Sequence, residues 1–181
     1  MDDLKEINYG EAIFQGCYQE MEKDNSVFVY GLGVDDQKGH YGTSKDLHRI
    51  FGEKRNFDMP LSEDAMTGVG IGAALAGLRP IYVHQRMDFL LLCMNQLVNM
   101  AAKLRYMSSG EHSVPFVIRA AIGRSWGQGA QHSQALHSYF MHVPGIKVVA
   151  PTTPHDAKGC LVASIRDNNP VVFVEHRMLY S

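Results

Sequence analysis

Residues 57–72 read FDMPLSEDAMTGVGIG, a short extended segment followed by a helix of small residues. Ser62 can cap this helix, and Glu63 then lies in its first turn, where a carboxylate suits the helix dipole. Gly68 and Gly72 fall on one stripe of the helix. A glycine inside a helix costs up to about 1 kcal/mol relative to alanine, so the stripe needs a packing reason. We expect this helix to lie against another backbone, from another subunit or domain.

The composition is that of a globular protein. A chain of 181 residues can bury one core, and 45% hydrophobic residues with a net charge of -2 exclude disorder and bulk attraction to nucleic acid. The first residues lack the features of a signal peptide, and no apolar stretch reaches membrane-spanning length. Cys17, Cys93 and Cys160 are odd in number and far apart, as expected of reduced thiols. We therefore expect a cytoplasmic protein with no nucleic-acid or membrane partner.

Strand and helix patterns alternate along the chain. Apolar strands are predicted at 27–30, 79–83, 114–120, 147–150 and 171–175. Helices are predicted from Tyr9 behind an Asn8 cap, from Ser44, from Ser62, over 89–106, through Leu136 and Tyr139, and from Pro154 behind a Thr153 cap. Continuously apolar strands that alternate with helices indicate an α/β fold, a parallel twisted sheet covered by helices on both faces.

Several common sites are not supported by the residues. The spacing Gly68-x-Gly70-x-Gly72 does not match a dinucleotide-binding loop, and the chain has no phosphate-binding loop of the Gly-x-x-x-x-Gly-Lys type. His132, His137 and His142 recur five apart, which does not place them on one helical face or at a zinc spacing. His132, which follows a glycine-rich loop, is instead a candidate for a role in a site.

Two motifs together resemble one family. The segment Asp58-x-Pro60-Leu61-Ser62-Glu63 with the glycines behind it resembles the β subunits of the thiamine-diphosphate-dependent 2-oxoacid dehydrogenases for pyruvate, branched-chain 2-oxoacids and acetoin. The part that it resembles is the pyrimidine-binding domain of the transketolase-like superfamily. Residues 129–134, GAQHSQ, look like the Gln-His-Ser-Gln motif of the same subunits. The spacing from Glu63 through Phe89 to His132 fits the family without a gap.

The resemblance implies roles for four residues. Glu63 matches the glutamate that hydrogen-bonds the aminopyrimidine ring of thiamine diphosphate, and it is a catalytic and cofactor-binding candidate. Phe89 matches an aromatic residue that stacks on the same ring, and Leu61 joins the cofactor-binding set. His132 matches a catalytic histidine that lines the channel where the 2-oxoacid and the lipoyl arm reach the cofactor.

The resemblance also implies two metal ions. A structural potassium ion is expected on the backbone carbonyls of Phe116, Ser164, Ile165, Asp167 and Asn169, because hard cations prefer oxygen ligands. Magnesium is expected on the partner subunit, since a Gly-Asp-Gly segment with a downstream Asn is absent from this sequence.

We expect residues 1–181 to be one pyrimidine-binding domain, with the C-terminal transketolase-type domain of the family's β subunits absent. The implied enzyme decarboxylates a 2-oxoacid and transfers the acyl group to lipoamide. It needs an α-type subunit for its diphosphate-binding domain, forms a heterotetramer and meets a lipoyl-carrying acyltransferase. Two alternatives stay open, a split transketolase-like carboligase and a non-catalytic assembly or regulatory subunit. Residues 83–87, VHQRM, are more polar than the family pattern, and Arg86 is expected to favour a more acidic or phosphorylated substrate.

Overall fold

The computed structural model describes residues 6–124 and 126–180. Within them, six strands form one parallel sheet in the order β2-β1-β3-β4-β6-β5. The strands are β1 (Val27–Gly31), β2 (Asn56–Phe57), β3 (Arg79–His84), β4 (Val117–Ile122), β5 (Lys147–Val149) and β6 (Val171–His176). The predicted α/β class is confirmed, and β2 is a short edge strand that the sequence pattern did not indicate.

Both faces of the sheet are buried, which explains why its strands are continuously apolar. In β1, Val27 and Val29 belong to one apolar core, whereas Phe28 and Tyr30 belong to the other. The same alternation occurs along β6, where Phe173 faces the first core and Val172 the second. The sheet therefore separates two cores, and each needs its own layer of helices.

Helices cover the sheet on the two sides. They are α1 (Tyr9–Lys23), α2 (Leu47–Phe51), α3 (Glu63–Leu75), α4 (Ala102–Met107), α5 (His137–Met141) and α6 (Pro154–Arg166). On one side α1 packs against α6, with Gly16 leaving room for the Leu161 side chain. On the other side α3 packs against β3 and the segment 87–101. No helix in the described ranges is long and apolar enough to cross a membrane.

The predicted helix caps are confirmed at two places. The Asn8 side chain accepts a hydrogen bond from Glu11 N at 2.8 Å, and Thr153 Oγ1 accepts one from Asp156 N at 3.1 Å. Ser62 occupies the cap position of α3, but its side chain makes no capping hydrogen bond. The prediction for Ser44 was wrong, because its hydroxyl accepts from His40 N and α2 begins three residues later.

The predicted long helix over 89–106 is not one α-helix. It comprises a 3₁₀ segment at Met87–Cys93, a π segment at Asn95–Ala101 and then α4. Each of the first two segments has seven residues, which is too short for the pattern of apolar residues to distinguish a 3₁₀ or π segment from an α-helix. The fourth strand also begins at Val117 and not at 114, since Pro115 has no N–H to donate to a neighbouring strand.

Candidate functional site

A cavity of about 350 Å³ lies where β1 and β3 end and α3 begins. In parallel α/β sheets, ligands usually bind outside the carboxyl ends of the strands, and this cavity has that position. Its lining is mostly apolar and includes Leu61, Glu63, Tyr82, His84, Phe89 and Leu92. Three of the sequence-predicted site residues, Leu61, Glu63 and Phe89, therefore border one cavity.

Glu63 is the first residue of α3 and the carboxylate of the cavity lining. Its side chain is half-buried, and its backbone carbonyl accepts a hydrogen bond from Thr67 Oγ1 at 2.8 Å, which ties the first helical turn together. The neighbouring Asp64 is exposed and does not border the cavity. The chain thus presents one carboxylate, and not two, to this space.

Phe89 and His132 are brought together although they are distant in sequence. Their ring centroids lie 5.2 Å apart at an interplanar angle of 76°, an edge-to-face contact. Phe89 belongs to the 3₁₀ segment after β3, and His132 belongs to a 3₁₀ turn at Ala130–His132. The fourth predicted residue is therefore placed beside the cavity through its contact with Phe89.

Three further polar residues, Tyr82, His84 and Gln85, line the cavity and were not among the predicted site residues. Tyr82 is buried, and its hydroxyl has no hydrogen-bond partner. His84 is buried at the end of β3, and burial lowers the pKa of its ring to about 3, so it is neutral at pH 7. Burial above all, with the charge of Glu63 adding to it, raises the pKa of Cys93 to about 12. Only the register of β3 beside β1, which no local pattern encodes, could have indicated these residues.

Arg86 does not face the cavity, which corrects the expectation that it selects substrate. It is 3% exposed, NH1 donates to the carbonyl of Gly123 at 2.8 Å, and NH2 donates to Gln128 Oε1. The guanidinium is therefore engaged by the glycine-rich loop. Arg86 is directed at this loop, and it is not among the residues that line the cavity.

The residues predicted to hold potassium meet at the turn between α6 and β6. Four of these five residues have a carbonyl that already accepts a hydrogen bond: Ile165 O and Asp167 O accept from Arg79 NH1 at 2.9 and 3.2 Å. Ser164 O accepts from Asp167 N, and Phe116 O accepts from Val171 N. Each carbonyl oxygen has a second lone pair, so these residues fit a cation only as shared ligands. In the described ranges, no group of three or more His, Cys, Asp or Glu side chains could hold a metal ion.

Residues 5–181 match the family model described as transketolase, pyrimidine binding domain. The chain belongs to this family. A solved structure of a split gene transketolase, an inactive beta4 tetramer, has the same fold with a TM-score of 0.75 at 17% identity. It covers 95% of this chain, and this chain covers 52% of it.

Curated relatives of this pyrimidine-binding domain are subunits of dehydrogenases. The pyruvate dehydrogenase E1 component subunit beta of Gracilaria tenuistipitata var. liui is 46% identical over 98% of this chain and 55% of its own length. The 2-oxoisovalerate dehydrogenase subunit beta of Bacillus subtilis (strain 168) is 44% identical over 96% and 53%. The mitochondrial pyruvate dehydrogenase E1 component subunit beta of Bos taurus is 44% identical over 97% and 49%. The chain spans about half the length of the curated relatives that it matches.

Proposed function

We propose that this chain is the pyrimidine-binding part of a thiamine-diphosphate-dependent 2-oxoacid dehydrogenase of the E1 type. The enzyme would decarboxylate a 2-oxoacid and pass the acyl group to a lipoyl group on an acyltransferase. The relatives at 44% to 46% identity support the dehydrogenase class, since their names specify E1 or dehydrogenase subunits beta. Pyruvate and 2-oxoisovalerate are the 2-oxoacids to test first.

One observation carries the proposal. Glu63 and Phe89 border the same cavity, and the His132 ring packs edge-on against Phe89. A planar heterocycle with ring nitrogens and an amino group fits a mostly apolar cavity that has one carboxylate. The residues present therefore fit the aminopyrimidine half of the cofactor.

Each residue then has a distinct role. Thiamine diphosphate, when bound, supplies the electron sink that loss of carbon dioxide requires. Glu63 would hold a proton at a nitrogen of the aminopyrimidine ring, and Phe89 and Leu61 would fix the ring plane by apolar contact. His132 would lie on the open side of Phe89, where it can orient the 2-oxoacid or the incoming lipoyl group. The neutral His84 closes the wall without adding charge.

The outer surface of α3 is suited to contact with an α-type partner. A Cβ atom built on Gly68 or Gly72 meets nothing within 4 Å, so the chain itself does not require glycine at either position. Leu61 and Leu92 at the cavity rim are 75% and 58% exposed, and Val69 on α3 is also exposed. We propose that the partner packs here and supplies the diphosphate-binding domain with its magnesium ion. Two such pairs would form the heterotetramer.

A structural potassium ion at the α6–β6 turn is part of the same proposal. It would be held by the backbone carbonyls of Phe116, Ser164, Ile165, Asp167 and Asn169. Thermal unfolding in potassium chloride and in tetramethylammonium chloride at equal ionic strength tests it. A higher Tm in potassium that saturates with concentration is expected, and equal values would rule the ion out.

We place the protein in the cytoplasm. In support, Cys17, Cys93 and Cys160 are all free thiols, and Cys17 and Cys93 are buried. Proteins that keep such thiols usually work in a reducing compartment. Fractionation of the source cells followed by detection of the protein tests this placement.

The deciding experiment is calorimetric binding of thiamine diphosphate with magnesium, to this chain alone and to its complex with an α-type subunit. Binding is expected in the complex, and Glu63→Gln should weaken it by more than 10-fold, since a charge-assisted bond is worth about 1.5–3 kcal/mol. Asp64→Asn is the matched control, because Asp64 is exposed beside the cavity and should leave binding unchanged. Binding that survives Glu63→Gln would contradict the assigned role.

Product analysis then separates the remaining alternatives. With a lipoyl domain and either 2-oxoacid, an acyl-lipoyl product supports the dehydrogenase. A product that forms only with a carbonyl acceptor would indicate a carboligase. A stable complex that neither binds the cofactor nor turns over would indicate an assembly subunit.

A further inference from the structure

The segment that carries His132 is fastened to the junction between β3 and Phe89 at two points. We call residues 123–134 the histidine loop; residue 125 lies outside the described ranges. At its start, Arg86 donates to Gly123 O at 2.8 Å and to Gln128 Oε1. At its end, Asp88 Oδ1 accepts from Gln134 N at 3.3 Å and from Gln134 Nε2 at 2.8 Å.

Both fastening residues are buried ions with uncharged partners. Arg86 is 3% exposed and Asp88 8%, and Arg86 Nε and Asp88 Oδ2 have no hydrogen-bond partner. Burying an ion that is only partly satisfied is unfavourable for folding, so apolar residues at these positions would serve stability better. Their presence at this junction is better explained by the position that they impose on the histidine loop.

The two residues flank Met87, and Asp88 directly precedes Phe89, so both lie on the short segment that carries the Phe89 ring. On the histidine loop, Gln134 lies two residues after His132. Asp88, Phe89, His132 and Gln134 therefore form a closed ring of contacts, with a hydrogen bond on one side and the edge-to-face contact on the other. Loss of the hydrogen bond would let His132 move relative to Phe89.

We propose that Arg86 and Asp88 are positioning residues, which act through the histidine loop to set His132 against Phe89 at the cavity. The inference rests on the proposed function for the consequence in catalysis, whereas the fastening itself is a property of this chain. Neither residue touches the cavity. Their loss should impair acyl transfer and leave cofactor binding intact.

The fastening is tested first on the chain alone. Trp126, the one tryptophan in the sequence, lies in the histidine loop and is 69% exposed, so its fluorescence anisotropy reports on loop motion. Gln134→Met removes the side-chain bond to Asp88 from the exposed partner, which keeps the variant foldable. Its anisotropy should fall, and Asp88→Leu should lower it further. Asp88→Asn, which keeps an acceptor oxygen, should restore most of the wild-type value, and Asp64→Asn is the exposed control. Unchanged anisotropy in Gln134→Met and Asp88→Leu would overturn the proposal.

The consequence is tested in the complex with the α-type subunit, with pyruvate or 2-oxoisovalerate and a lipoyl domain. Gln134→Met should lower kcat for acyl transfer roughly 10-fold, because small misplacements of a catalytic group have large effects on rate. Thiamine diphosphate affinity should change less than twofold. In the His132→Ala background, Gln134→Met should cause little further loss, since both changes remove one function.

The outcomes separate the two claims. Independent, multiplicative losses in the double variant would overturn the positioning role even if the anisotropy changed. A complex that turns over neither 2-oxoacid, although its histidine loop loosens in Gln134→Met, would refute the proposed function and confirm the fastening.

Discussion

Two glycines of α3 should respond in opposite ways to the same substitution. Gly70 faces the core, where a Cβ atom would lie 2.6 Å from Phe116 Cζ and still closer to Tyr30 Oη. Gly72 faces outward, where a Cβ atom meets nothing within 4 Å. Both lie inside one helix, so the gain in helix propensity on replacement by alanine is about 1 kcal/mol for each. The difference between them therefore measures packing alone.

The neighbours of Gly70 cannot move aside cheaply. Tyr30 and Phe116 are fully buried, and the Tyr30 ring stacks on Tyr82 with centroids 4.6 Å apart. The Tyr30 hydroxyl also donates to Met66 O at 2.8 Å, a bond that a methyl group at position 70 would displace. Overpacking costs about 1–3 kcal/mol and a lost hydrogen bond about 0.5–1.5 kcal/mol. After the propensity gain of about 1 kcal/mol, Gly70→Ala should destabilise the chain by about 0.5–3.5 kcal/mol.

Urea unfolding of the chain alone, followed by far-ultraviolet circular dichroism, measures both variants. Gly70→Ala should lower the midpoint, whereas Gly72→Ala should raise the free energy of unfolding by up to about 1 kcal/mol. In the complex, Gly72→Ala should instead weaken association with the α-type subunit, because the added methyl group holds the partner backbone away. A Gly70→Ala variant as stable as the wild type would refute the packing argument. A Gly72→Ala variant that binds the partner normally would refute the proposed interface.

Two further predictions concern buried charge and its response to pH. Arg119→Met should destabilise the chain by about 3–5 kcal/mol in urea unfolding, because it leaves the buried Glu175 carboxylate without its ion-pair partner. The control is Arg49→Met at the exposed ion pair with Asp46, which should cost under about 1 kcal/mol. Burial lowers the pKa of His84 to about 3 in the folded chain, so below pH about 6.5 the unfolded chain binds more protons than the folded chain. The free energy of unfolding should therefore fall as the pH falls below about 6.5, by up to about 1.4 kcal/mol per pH unit. His84→Leu should flatten this slope between pH 6.5 and 4, and His155→Leu, at an exposed position, should not.

The sequence alone determined the layers of the fold. Apolar runs in β1, β3 and β6 predicted a sheet buried on both faces, and Asn8 and Thr153 marked the starts of α1 and α6. These features are local, since burial pattern and capping depend on residues a few positions apart. The motifs around Glu63 and His132 also indicated the family, which the match to residues 5–181 confirms.

Tertiary structure alone decided how the site is assembled. The sequence did not predict the helix types over Met87–Ala101, because segments of seven residues are too short for apolar spacing to distinguish 3₁₀, α and π helices. The direction of Arg86 was also hidden, since its partners in the histidine loop lie about 40 residues away and only strand pairing brings them near. Local chemistry determines which residues can form helices, strands and sites. Which of them meet depends on the order of strands in the sheet, and this order is fixed by long-range packing that no short stretch of sequence contains.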